Sequence, residues 1–185
     1  AMVAEESTAY PMITMPPYVG GLGFTFKWNM GFMHDTLDYG ACDPLFRAGN
    51  HYKMTFSMDY AYSEAFILEY SHDEVVYGKR SMLNKMYGTN EAEKFATLRA
   101  MMGYQFAHPG KKLTFMGSEF GQFNEWNFKE QLEWGLLKKA AHKRMQDFSA
   151  ELNKFYRSHA AFWIDDMDPK GFQWSNKNNR NEDAL

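Results

Sequence analysis

Short apolar runs that end on carboxylates recur along this chain. "MVA" at 2–4 leads into Glu5 and Glu6, "FILEY" at 66–70 into "SHDE" with His72, Asp73 and Glu74, and "LTFM" at 113–116 into "GSEFGQ" with Glu119. Between the last two lies a helical pattern. Asn90 suits an N-cap, Glu91 and Glu93 the first turn, and Phe95, Leu98, Met102 and Phe106 share one face before "HPG" stops it. Strand, helix, strand predicts the βαβ unit of a parallel sheet. "GLGFTFKWN" at 21–29 reads as another strand, and 31–49 as a helix that Pro44 interrupts or re-initiates. The stretch 51–64 fits either helix or strand. A long amphipathic helix is expected over 140–163, with Met145, Phe148, Leu152, Phe155, His159 and Phe162 on its apolar stripe and Lys143, Arg144, Asp147, Glu151 and Lys154 in water. After it, "GFQWSNKNNRNEDAL" reads as a strand-like piece and a polar turn, the first half of a hairpin.

The 185 residues would ordinarily suggest about one domain. About four parallel strands with helices, however, make only half of an eight-stranded barrel, so the chain is expected to be a fragment cut at both ends. The net charge of -3 is spread along the chain and offers no basic face, which excludes nucleic acid as the expected partner. The single cysteine, Cys42, cannot form an internal disulfide. Neither a leader pattern nor an apolar run of roughly 18 residues occurs, so no membrane is expected and the expected compartment is the cytoplasm. Aromatic residues reach 17%. Most of these rings belong in a core, and a minority could stack on flat apolar ligand faces such as sugar rings.

In parallel barrels the loops after the strands' C-terminal ends build the active site, so carboxylates there read as catalytic. Glycoside chemistry needs one acid to protonate the leaving oxygen and a second carboxylate at the anomeric carbon, with further polar groups on the sugar hydroxyls. A neighbouring carboxylate raises the acid into its working range. Other barrels place acids on strand ends to bind metal instead. Adjacent His72 and Asp73 would suit a metal, yet two or three more ligands would have to converge and no H-x-x-x-H spacing supplies them. Taken singly, Glu5 could be a solvated carboxylate and Glu6 a residue that orients its neighbours. Trp126 and Trp134 default to core, the remaining histidines to structure or surface, and Cys42 to a packed thiol.

The words "AEEST" with "GGLGFTFKWNMGFMHDTLDY", then "FSMDYAYSEAFILEYSHDEVVYGK" and "HPGKKLTFMGSEFGQFNEWN", resemble the bacterial glycogen branching enzymes of the α-amylase superfamily, glycoside hydrolase family 13. The resemblance runs nearly unbroken to about residue 137 and more weakly through "MDPKGFQW". It implies an α/β fold: the C-terminal half of a (β/α)8 TIM barrel over 1–137, the final barrel helix over 138–164, and the start of an all-β C-terminal domain over 165–185. It implies Glu5 as general acid/base, Asp73 as the acid that stabilises the distorted sugar, and His72 as its hydroxyl-binding partner. Trp28 and Glu119, with Glu74, Lys79, Gln122 and Trp126, lie in matching words along an implied glucan groove. Tyr77 departs from the family's pattern, which usually has histidine there. The family's nucleophilic aspartate is matched by no word here, so the 185 residues alone are expected to be inactive. The implied partner is an α-1,4-glucan such as amylose or glycogen, with no metal or organic cofactor. A hydrolase of the same superfamily, for example a trehalose-releasing one, or a non-catalytic remnant remain the alternatives.

Overall fold

The computed structural model describes residues 1–178. Four strands, β1 (Val3–Ala4), β2 (Phe26–Trp28), β3 (Phe66–Tyr70) and β4 (Lys111–Thr114), form one sheet in chain order with every neighbouring pair parallel. β2 is shorter than the expected 21–29 because residues 22–24 bond back to the preceding loop: Leu22, Gly23 and Phe24 donate to the carbonyls of Met12, Met15 and Ile13. β4 begins two residues before the expected 113–116. Its ladder is set by the register Ile67↔Lys111 to Tyr70↔Thr114, and backbone pairing is indifferent to the two polar lysines that open it.

Asn29 starts α1 (Met30–Ala41) by accepting the Phe32 N–H at 2.9 Å. Pro44 re-initiates rather than interrupts: Asp43 caps α2 (Pro44–Asn50) through the Leu45 N–H. The ambiguous stretch is helical, with α3 (Tyr52–Thr55) running into a 3₁₀ turn at Phe56–Asp59. A short α4 (Met82–Lys85) precedes α5 (Glu91–Ala107), where Asn90 caps the Glu93 N–H as the sequence pattern predicts. Phe95, Leu98, Met102 and Phe106 of α5 are all buried.

The last helix, α6 (Ala140–Ser158), ends before the expected residue 163. Its apolar stripe is buried only at Met145, with Phe148 and Leu152 packed against the core; Phe155 is about half exposed, and the chain breaks into a 3₁₀ turn at Ala160–Phe162. The predicted strand-like piece around Phe172–Trp174 is no strand. It follows a 3₁₀ turn at Pro169–Gly171, and packing decides its path, with Phe172 against the His108 and Trp174 rings. The rest of the expected hairpin, residues 179–185, lies outside the described residues.

Strand alternation sorts the sheet into two faces. Leu68 and Tyr70 pack into one cluster with Phe32, Met33, Leu98 and Met102 from α1 and α5, and the Tyr70 hydroxyl meets Thr36 Oγ1 at 2.8 Å. The registers Ala4↔Lys27 and Lys27↔Phe66 place these three on that helix-covered face. Trp28, Ile67 and Glu69 occupy the opposite face, and Glu5, one residue beyond β1, alternates onto it as well.

Candidate active site at the strand exits

Because all four strands run the same way, Glu5, Asn29, Ser71–Glu74 and Glu119 leave the sheet at one end. The turn after β3 is the most fully determined of these exits. The Ser71 hydroxyl accepts the Asp73 N–H at 3.2 Å, while Glu74 reaches back to accept the Ser71 N–H at 2.5 Å, a reciprocal capping box. Lys85 Nζ donates to the Glu74 carbonyl, and burial pushes this lysine down to about 8. Trp126 N–H donates to the Val75 carbonyl at 2.9 Å. These bonds hold His72 and Asp73 side by side, with His72 Nε2 3.2 Å from Asp73 Oδ1 and both side chains about half exposed. The His72 ring stands against Phe115 and Trp126, at 5.9 and 6.5 Å between centroids.

The other sequence-predicted residues are distributed around this turn. Glu5 is exposed beyond a strand of two residues. Its neighbour Glu6 orients the following loop: its carboxylate pairs with buried Lys27 Nζ at 2.8 Å and accepts the Thr8 N–H. The Lys27 and Thr8 hydrogen bonds hold the Glu6 carboxyl down at about 2. Trp28 lines a cavity of about 570 Å³ with Glu6, Tyr10, Asp35 and Tyr60, and Glu5, His72 and Asp73 take no part in its wall. Glu119 sits in the turn Ser118–Phe120 and lines a separate cleft along β4 with Phe115, Ser149 and Asn153. His72 and Asp73 are therefore in direct contact, while Glu5, Trp28 and Glu119 share the strand-exit end without sharing a cavity.

One residue of this region carried no sequence signal beyond its place in a strand. Glu69 is wholly buried, accepts the Asn29 N–H at 2.8 Å on Oε2, and has no partner for Oε1 among the described residues. Burial pushes its carboxyl up to about 8, and the nearby Glu74 and Glu5 carboxylates add to the rise. Among the described residues no three His, Cys, Asp or Glu side chains converge as a metal site would require. No helix among them is long and apolar enough to cross a membrane.

No family model matches this chain. Curated relatives do. The chain is 56% identical over 177 residues, 96% of its length, to a 1,4-alpha-glucan branching enzyme GlgB of Frankia casuarinae. It is 54% identical over 184 residues to one of Bacillus cereus, which covers all of the chain, and 53% identical over 173 residues to one of Halothermothrix orenii. These matches span 22%, 28% and 27% of the relatives' own lengths.

Proposed function

This chain belongs to the 1,4-alpha-glucan branching enzyme GlgB family, and from that premise we propose that it supplies the acid/base and sugar-holding residues of a branching reaction. In that reaction an α-1,4 link of a glucan is cleaved, the released segment is held covalently, and a glucose 6-hydroxyl takes it up to make an α-1,6 branch. Glu5 protonates the departing 4-oxygen and then removes the proton of the incoming 6-hydroxyl. Asp73 stabilises the distorted donor ring in the transition state, and His72 binds its hydroxyls. Trp28 and Glu119 are assigned to substrate binding. The nucleophile is assigned to no residue of this chain, so these 185 residues alone are expected to form no branches.

The observation that carries this reading is the gathering of Glu5, His72 and Asp73 at the same end of a parallel sheet, where the strand-exit rule puts barrel chemistry. Four parallel strands in chain order, with α1 and α5 on one face, support half of a (β/α)8 barrel over 1–137, closed by the helix within 138–164. Residues 165–185 are assigned to the start of an all-β domain, and the compartment to the cytoplasm.

A direct test replaces the matched segment of the Bacillus cereus relative with this chain and incubates the hybrid with amylose. New α-1,6 anomeric protons in the NMR spectrum are expected. A folded hybrid that shortens amylose without branching it would point to hydrolysis and overturn the reading.

A further inference from the structure

α4 is four residues long, too short to be stable by itself, and it is held from outside at both ends. At its start the Ser81 hydroxyl accepts the Asn84 N–H at 3.2 Å and donates to the Phe123 carbonyl at 2.8 Å, and Asn84 Nδ2 donates to the same carbonyl at 3.3 Å. At its end Lys94 Nζ of α5 donates to the Asn84 and Met86 carbonyls, at 3.0 and 2.9 Å. Those two carbonyls flank Lys85. Met82, Leu83 and Met86 meanwhile lie in the core cluster. The backbone that carries Lys85 is therefore fixed from both sides and from below.

From this place Lys85 reaches the turn after β3. Its ammonium donates to the Glu74 carbonyl, the Glu74 carboxylate accepts the Ser71 N–H, and the Ser71 hydroxyl accepts the Asp73 N–H. Lys85 stands at one end of this short chain of bonds and Asp73 at the other. Burial works against the charge on Lys85, whose carboxylate neighbours are Glu74 and Glu125 and whose cationic neighbour is Lys79. A methionine of similar length would fill the same space without that cost, but it could not donate to the turn. A charged donor on the carbonyl makes a stronger bond than a neutral one would.

We propose that Lys85 is a positioning residue for the sugar contacts of His72 and Asp73: its ammonium pins the Glu74 carbonyl, and the capping box of Ser71 and Glu74 passes that restraint to the two side chains. The proposal deepens the branching reading and rests on it. Lys85 itself touches no substrate in this account and acts through the turn.

The test compares Lys85→Met and Lys85→Arg in the hybrid enzyme, with amide hydrogen exchange measured on this chain. Lys85→Met should lower kcat for branch formation about tenfold and leave KM within about twofold, because a displaced Asp73 loses more in the transition state than in the bound ground state. Lys85→Arg keeps a charged donor and should recover most of the rate. In the isolated chain Lys85→Met should speed exchange of the Ser71 and Asp73 amides about tenfold while the Leu68 and Leu98 amides stay slow. A folded Lys85→Met hybrid that branches with the parent's kcat would overturn the proposal, as would exchange that rises equally at all four amides. A parent hybrid that forms no branches would instead overturn the branching reading, and the exchange comparison would then decide the role of Lys85 in the turn.

Discussion

At the exit of β3 the chain's own bonds tie down the Ser71 and Asp73 N–H groups and the Glu74 and Val75 carbonyls, whereas at the exit of β1 Glu5 stands in water beyond a strand of two residues. The two exits bear the residues assigned to opposite duties. In the proposed reaction Asp73 holds one position while a sugar distorts against it, and an interlocked turn gives that constancy. In the same proposal Glu5 gives and regains a proton, so access to a second hydroxyl matters as much as placement. The rigidity of one exit and the openness of the other follow from local chemistry: a Ser-x-x-Glu capping box closes the first, while at the second Glu6, tied to Lys27, steers the chain just after Glu5.

Glu69 gives the largest expected effect because it is buried with Glu74 and Glu5 as its neighbouring acids. Its folded pKa of about 8 lies above the ordinary 4.5, so the fold holds its proton more tightly than the unfolded chain does. The resulting stability is fully present below about pH 4.5 and is lost as pH rises towards 8, a change of about 4–5 kcal/mol. In urea titrations at several pH values, Glu69→Gln should flatten this part of the profile. Parallel profiles for parent and variant would show that Glu69 ionises normally.

Next in size is the contrast in packing. Leu68→Ala, emptying a fully buried site at β3, should cost about 3 kcal/mol, while Val3→Ala at β1 should cost less than about 1 kcal/mol. Comparable losses in urea midpoint would erase the distinction between the two ends of the sheet. Ser71→Ala should then cost about 1 kcal/mol by removing the cap on the Asp73 N–H, and the His72 ring protons should broaden as the turn loosens. The smallest effect belongs to Glu6. Its carboxyl is held down at about 2, so its contribution is present above about pH 4.5 and fades as pH falls towards 2; Glu6→Gln should remove that acid-side slope.

Much of this contrast was legible before any coordinates. Asn90 with Glu93, the face from Phe95 to Phe106, and the strand 66–70 are local patterns, and each appears where its spacing predicts. The family was legible too, because several long words recur together, and 54% identity over the whole chain agrees. What escaped prediction depends on distant partners. Phe155 looks like core by spacing, but it meets the rings of His159 and Phe162 just beyond the helix end at Ser158 and stays about half exposed. Lys111 and Lys112 look too polar for a strand until β3 offers its backbone. Glu69 looks like a solvent-facing strand residue until Asn29, forty positions away, supplies its hydrogen bond. The closeness of His72 to Trp126 likewise depends on distant partners, among them the Val75 carbonyl that accepts the Trp126 N–H.

The acid/base assignment of Glu5 is the central claim, and one substitution addresses it most directly. In the hybrid enzyme that carries these 185 residues, the rate of α-1,6 branch formation on amylose is measured for parent and Glu5→Gln. The account predicts a loss of about 10²–10⁴-fold with folding and maltoheptaose affinity retained. Branching by Glu5→Gln at a rate close to the parent's would contradict it and place the proton transfer on another group.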